Sequence, residues 1–171
     1  MSSLNNLNKY KLSILLKKDN LFIYVIVLLI FFFDRISKIK IINHQINNNL
    51  IFVNDFINLD LIWNTGIAFG FLSSNASFFY NSMTAIIGCI LIFLFYLIVK
   101  AKKSEKILLS IILGGALGNF YDRAFYFTVP DFIDIHYASF HWFTFNIADI
   151  FISLGIILLI IKDLFLKNEK N

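Results

Sequence analysis

The chain has 171 residues, of which 58% are apolar and 15% charged, with a formal net charge of +4 and a positive mean hydropathy. This composition excludes an ordinary soluble domain, and the apolar residues fall in blocks long enough to cross a bilayer. The sequence therefore reads as one integral membrane domain over residues 1–171. A lone cysteine, Cys89, inside an apolar run excludes an intrachain disulfide framework or a thiolate metal cluster and reads as a packing residue, and no segment resembles a nucleic-acid-binding module.

Four spans are expected, at about 21–42, 78–99, 107–127 and 145–165. Each has roughly the 20 residues that cross about 30 Å of hydrocarbon. Lysines precede the first, as in a secretory signal, but Asp34, Arg35 and Lys38 follow it in place of a small-residue cleavage site, so it reads as a retained helix. Within it Asp34, Ser37 and Lys38 share a face at i, i+3 and i+4, and pairing of Asp34 with Lys38 lowers the cost of burying both.

Residues 50–72 alternate differently, with Leu59, Leu61 and Trp63 set against Asn58, Asp60 and Asn64, the period of a β-strand in a small external sheet. A turn is expected over 64–70, from Asn64-Thr65-Gly66 onward. This aromatic-rich stretch could lie on the bilayer surface and grip an extended peptide, or serve as a lid over the helix ends. In the third span Gly114 and Gly118 form a small-xxx-small face for close helix approach, and Asn119, Asp122 and Arg123 follow at i, i+3 and i+4. Pro130 takes the chain out of regular helix before Asp131. Asn146 lies one helical turn before Asp149 at the start of the fourth span. The expected fold class is thus a membrane all-α protein with four transmembrane helices and a small extracytoplasmic β-rich segment between the first two.

Charge sets the orientation. Lys9, Lys11, Lys17 and Lys18 precede the first span; Lys100, Lys102, Lys103 and Lys106 separate the second from the third; Lys162, Lys167 and Lys170 close the chain; residues 43–99 contain no Lys or Arg. The positive-inside rule puts both termini and the central loop in the cytoplasm and residues 43–77 and 128–144 outside. About 27 Å of helix then separates Asp149 from Lys167, and about 20 Å from Lys162, so Asp149 sits at the outer leaflet or its surface. Asp131 converges on the same boundary.

An acid in or beside a transmembrane helix costs about 2.5–3.5 kcal/mol at the helix centre and is by default a functional hypothesis. Two close carboxylates cannot both stay charged. Sharing one proton, the ionised member can take a proton from water while the protonated one polarises a carbonyl, which makes an aspartyl hydrolase the natural reading. Metal hydrolysis is the chemical rival, since His44, His136 and His141 all lie in external segments. No His-Glu-x-x-His pattern or helical ligand spacing joins them, so surface or interfacial roles are expected and no metal. The rival of another class is a proton- or ion-coupled membrane transporter subunit using Asp34, Asp122 and Asp149. It would spread acids along a path through the membrane, whereas these gather at one interface with no internal repeat or discontinuous helix pair.

Five blocks then come in order: Asp34-Arg35-Ile36-Ser37-Lys38; Asn64-Thr65-Gly66-Ile67-Ala68-Phe69; Gly114-Gly115-Ala116-Leu117-Gly118-Asn119 with Asp122-Arg123; Val129-Pro130-Asp131-Phe132; and Phe145-Asn146-Ile147-Ala148-Asp149. Together they resemble the lipoprotein signal peptidase, or signal peptidase II, family. The resemblance implies a multi-pass aspartic endopeptidase of the bacterial inner (cytoplasmic) membrane, with its active site on the outer side. Its partners would be membrane lipid and diacylglyceryl-modified prolipoproteins, cut just before the lipidated cysteine, with no cofactor, metal or obligate protein partner. It implies Asp131 and Asp149 as the catalytic dyad, with Asn64, Gly66, Asn119, Asp122, Arg123 and Asn146 as the supporting and substrate-binding shell. Asp34 and Lys38 carry over as structural or substrate-contacting residues. Pro130 departs from the family's more usual small aliphatic residue. Asp134 is a second acid nearby, and motif position favours Asp131 over it.

Overall fold

A computed structural model describes residues 18–45, 50–66 and 76–168. Lys9, Lys11, Lys17, Lys170 and positions 67–70 of the expected turn lie outside the described residues. Helices α1 (Lys18–Gln45), α2 (Ala76–Lys100), α3 (Lys103–Tyr126) and α4 (Ile147–Asn168) stand where the four apolar runs predict them. Their lengths are about 33 to 42 Å at 1.5 Å per residue. Among the described residues only α2, over Tyr80–Lys100, is apolar enough throughout to cross a membrane on composition alone. Charged residues interrupt the other three.

Four of those charged residues, Asp34, Arg35, Lys38 and Asp122, point inward. On α1 the buried stripe runs Ile23, Val27, Ile30, Asp34, Lys38 and Ile41, while Leu21, Phe22, Val25, Leu28, Leu29, Phe32, Phe33 and Ile36 are exposed. A soluble amphipathic helix has the opposite arrangement, with its polar residues in solvent. Helix α3 is the hub and packs against α1, α2 and α4. At one end Ile23 and Val27 of α1, Leu91 and Ile98 of α2, and Leu109 and Leu113 of α3 form an apolar core. At that same end Lys162 reaches from α4 to Ser104 Oγ (2.7 Å) and Glu105 Oε1 (3.1 Å) on α3.

Close approach of α3 to α1 rests on the predicted glycine face. Gly114 meets Ile30, and a Cβ on Gly118 would collide with Asp34 Oδ2. The Gly118→Ala variant is expected to lose about 1–3 kcal/mol of stability, since the neighbour is a buried carboxylate held in place. Thermal unfolding in detergent would show the loss beside Gly88→Ala, whose added carbon would sit 3.4 Å from Phe120 Cε2. Equal midpoints for the two variants would contradict this packing.

Strands β1 (Ile51–Asn54), β2 (Ile57–Asn64), β3 (Val129–Tyr137) and β4 (Phe140–Phe145) form one antiparallel sheet in that order. The expectation of a β-rich segment between the first two helices is correct but incomplete, because half of the sheet comes from the segment between α3 and α4. Alternation in β3 is disguised: Asp131, Asp134 and His136 are buried beside Val129, Pro130 and Phe132, while Tyr137 is exposed. The β3–β4 connection, with Ala138 at φ 51°, also lacks the Asn-Gly or Asp-Gly signature of a tight hairpin.

Two details seat the sheet on the helices. Gln45, at the end of α1, donates through Nε2 to Leu59 O (2.8 Å) and accepts from Leu61 N (2.6 Å), so its amide pairs with the β2 backbone where the β2–β3 register shifts. Pro130 lies in β3 opposite Trp63 of β2, whereas pairing with β4 begins only at Ile133. The strand is locally an edge there, which is where a residue without an N–H is tolerated.

Candidate active site

The two acids arrive from different elements. In the β2–β3 register Asn64 faces Val129, which makes it a diagonal, same-face neighbour of Asp131 two residues on. Asn64 Nδ2 donates to Asp131 Oδ2 at 2.8 Å, and Asn146 Nδ2 donates to Asp131 Oδ1 at 2.6 Å. Asp149 lies in the first turn of α4, with Asn146 immediately before the helix. Asn146 Oδ1 accepts from Asp149 N, and Asp149 Oδ2 accepts from Asn146 N, both at 3.1 Å. This is a reciprocal capping box. One asparagine thus caps the helix that carries one acid and binds the other acid directly.

The orientation of each amide follows from its neighbours. Lys38 is a pure donor, and its Nζ bonds Asp34 Oδ2 (2.8 Å), Asp122 Oδ2 (2.8 Å) and Asn119 Oδ1 (2.9 Å), using all three protons. Asn119 Oδ1 also accepts from Asn146 Nδ2 (3.1 Å), which leaves its own Nδ2 to donate to Asp149 Oδ1 at 2.8 Å. Asn64 Oδ1 accepts from Gly66 N (2.7 Å), so its Nδ2 faces Asp131. Each amide therefore presents N–H to the acids.

Charge separates the four acids of this centre, three of them buried and Asp149 half-buried, into two kinds. Asp34 and Asp122 are fully buried, and both pair with Lys38; Asp122 also pairs with Arg35, and Asp34 accepts from Ala148 N at 3.0 Å. Two acids and two bases cancel there. Among the described residues Asp131 and Asp149 form no ion pair, and their contacts are to neutral amides. Burial of Asp131 raises its pKa above the ordinary carboxyl value; the Asn64 and Asn146 hydrogen bonds oppose this, and the charge of Asp149 adds to it.

The remaining predicted residues divide. Lys38 and Asp34 are 0% exposed, so they cannot touch a substrate and act as structure. Asp122 belongs to the same ion cluster, bonded to Arg35 and Lys38, and among the described residues it makes no hydrogen bond to Asp131 or Asp149. Arg123, next to it, turns elsewhere: its guanidinium lies 6.0 Å from the Tyr80 ring centre, and its Nη1 is buried without a hydrogen-bond partner. Gly66 makes room for it. At φ 72° a Cβ there would stand 2.7 Å from Arg123 Nη1. Asp134 falls on the sheet face opposite Asp131, as an odd offset along a strand requires, and bonds His141 instead.

Sequence reasoning missed three contributors. Arg35 is the second cation of the buried cluster and also lies over Tyr121, 4.9 Å from its ring centre. Asp122, an acid in an apolar helix, signals the need for such a partner but does not say which helix supplies it. Tyr80 donates its hydroxyl to Arg123 O at 3.0 Å, and Ala148 contributes a backbone N–H to Asp34; neither carries a sequence signal.

An apolar-skinned helical bundle with buried acids at one end has the make-up of a membrane enzyme, and solved structures share it. A bacterial membrane enzyme determined by the in meso method at 2.3 Å resolution superposes with a TM-score of 0.69 at 33% identity, covering 87% of this chain and 91% of that one. A second, at 1.9 Å, gives 0.67 at 33% identity, covering 82% and 90%.

The family model described as signal peptidase (SPase) II matches residues 26–165, and the chain belongs to that family. Its relatives include the lipoprotein signal peptidase of Pelagibacter ubique (strain HTCC1062), 47% identical over 148 residues, or 85% of this chain and 89% of that protein. That of Francisella tularensis subsp. novicida (strain U112) is 46% identical over 121 residues, 68% and 75%. These matches set aside the transporter reading.

Proposed function

We propose that this protein removes signal peptides from prolipoproteins in the bacterial inner membrane, with Asp131 and Asp149 as an aspartic dyad. The carrying observation is the contrast in charge: Asp34 and Asp122 have Lys38 and Arg35, whereas among the described residues Asp131 and Asp149 bond only to amides. A close acid pair without a counter-cation relieves its repulsion by sharing a proton. One carboxylate then activates a water that attacks the scissile carbonyl, while the other, protonated, donates to the carbonyl oxygen and later the leaving amine is protonated. Asn64, Asn119 and Asn146 hold the two carboxyls in register. Arg123, with a buried and unpartnered Nη1 beside Gly66, binds a carbonyl of the substrate backbone.

The exterior fits a bilayer. All four helices cross it, with both termini cytoplasmic and the Lys162–Glu105 pair at the inner end. The dyad and the sheet lie at the outer boundary, where exposed Phe52, Trp63, Trp142 and Phe143 meet the headgroup region. A cysteine carrying a diacylglyceryl group keeps its scissile bond at that depth, with the acyl chains among the exposed apolar helix faces.

Purified enzyme in detergent, given a diacylglyceryl-modified preprolipoprotein and its unmodified precursor, is expected to cut only the former, just before the lipidated cysteine. Mass spectrometry of the products locates the cut. Equal cleavage of the unmodified precursor would refute lipid-dependent recognition, and a cut elsewhere would refute the placement of the substrate.

A further inference from the structure

On the sheet face away from the dyad, the register gathers a second polar cluster. Asp134 and His136 are two residues apart on β3 and so share a face; Asn58 of β2 stands opposite Asp134, and His141 of β4 stands opposite His136. A register shift between Ile135 and His136 makes that last pairing: Ile135 faces Phe143, and an unbroken ladder would bring Trp142, not His141, opposite His136. Re-aiming a side chain in this way is a characteristic use of a bulge.

The donor atoms converge. His141 Nδ1 lies 2.8 Å and His136 Nδ1 3.5 Å from Asp134 Oδ2, and one ligand atom from each of the three residues falls within 4.8 Å of the others. The two imidazoles stack with centres 5.3 Å apart. Asp134 and His136 are buried, while the His141 side chain is 59% exposed, so the cluster opens to solvent on one side.

A plain Asp134–His141 ion pair leaves two atoms unexplained. His136 Nδ1 is buried without a hydrogen-bond partner, its 3.5 Å approach to Asp134 being too long for one, and Asn58 Oδ1 is buried and unpartnered on the neighbouring strand. Around a tetrahedral zinc with bonds of about 2.0–2.1 Å, ligand atoms stand about 3.3 Å apart. The observed 2.8 and 3.5 Å straddle that value. Two imidazole nitrogens and one carboxylate oxygen, with a fourth position open, are a donor set suited to Zn²⁺.

We propose that Asp134, His136 and His141 bind one Zn²⁺ ion as a clip across the β3–β4 hairpin. The ion replaces the proton between His141 and Asp134, gives the buried His136 Nδ1 a partner, and ties together the two strands that flank the chain's turn between its dyad acids. This role is separate from peptide cleavage and does not depend on it.

The test uses the full chain in detergent with any affinity tag removed. Competition with a fluorescent chelator should show one Zn²⁺ per chain, and Co²⁺ in its place should give the strong visible bands of a low-coordinate site. His141→Ala changes an exposed side chain and should weaken Zn²⁺ at least about tenfold, the lower end of what even a residue outside the ligand set contributes. His44→Ala, on the last turn of α1 and outside the trio, should leave affinity unchanged. Added Zn²⁺ should raise the melting midpoint of the wild type and of His44→Ala but not of His141→Ala. No stoichiometric uptake, or the same affinity in His141→Ala as in the wild type, overturns the proposal.

Discussion

Asparagine in place of either Asp131 or Asp149 is expected to lower kcat for prolipoprotein cleavage by about 10²–10⁴-fold, the range contributed by a positioned acid or base. The change is isosteric, so it removes the proton chemistry and leaves the shape. For Asp149→Asn some stability also goes, because Asp149 Oδ2 closes the capping box with Asn146 N. Loss of such a cap costs about 0.5–2 kcal/mol, far too little to unfold the bundle. Asp55→Asn, in the exposed turn between β1 and β2, provides the control with full activity. Thermal midpoints measured beside the rates separate lost chemistry from lost fold, and wild-type turnover by either dyad variant would end the aspartic assignment.

Lys38→Met should have the largest effect on stability. Removing the cation leaves Asp34 and Asp122, both fully buried, facing each other with Arg35 as the sole remaining base of the cluster. Breaking a buried pair by deleting one partner costs about 3–5 kcal/mol, because an uncompensated charge stays inside. Adding Asp34→Asn to Lys38→Met should recover part of the loss, and a double-mutant cycle measures how much the two residues share. Lys40→Met, two residues along on the exposed side of α1, should fall within about 0.5 kcal/mol of wild type. The catalytic consequence is separate: without Lys38 Nζ, Asn119 loses one of the donors that fix its amide toward Asp149. If Lys38→Met melts where Lys40→Met does, the ion cluster is not holding α1 to α3.

Much of this architecture was legible from residue order. Apolar runs located the helices to within a few residues, and the period-two alternation of residues 58–64, within the stretch 50–72, pointed to β2. The gathering of Asp131, Asp149 and their asparagines was readable because acids and amides at a membrane boundary have few uses, and because their five blocks resemble one family; their role as a dyad stays a proposal. The β3–β4 hairpin was not legible. A half-buried strand is recognised by apolar residues on its inner face, but this one buries Asp131, Asp134 and His136 and exposes Phe140, Trp142 and Phe143. Its turn, through Ala138, carries no glycine or asparagine. Missing that hairpin also hid the meeting of His136 with His141, which depends on strand register and not on helical spacing. The partner of Asp122 was hidden for a similar reason, since tertiary packing alone chooses between Arg35, Lys38 and the neighbouring Arg123.

The capping box at Asn146 and Asp149 has a consequence for the timing of biogenesis. A chain made from its N-terminus can assemble the Asp34–Lys38–Asp122 cluster once α3 has emerged, before any catalytic centre exists. Asp131 then follows on β3, yet its second carboxylate oxygen waits for Asn146, and Asp149 waits for the first turn of the final helix. If Asp131 and Asp149 are the dyad proposed above, the same residues start that helix and complete the proton-sharing pair, so formation of α4 and the onset of proteolytic competence are one event. On that assignment a nascent or truncated chain lacking α4 is expected to be inert in the prolipoprotein cleavage assay, so that no peptidase is active before it is whole.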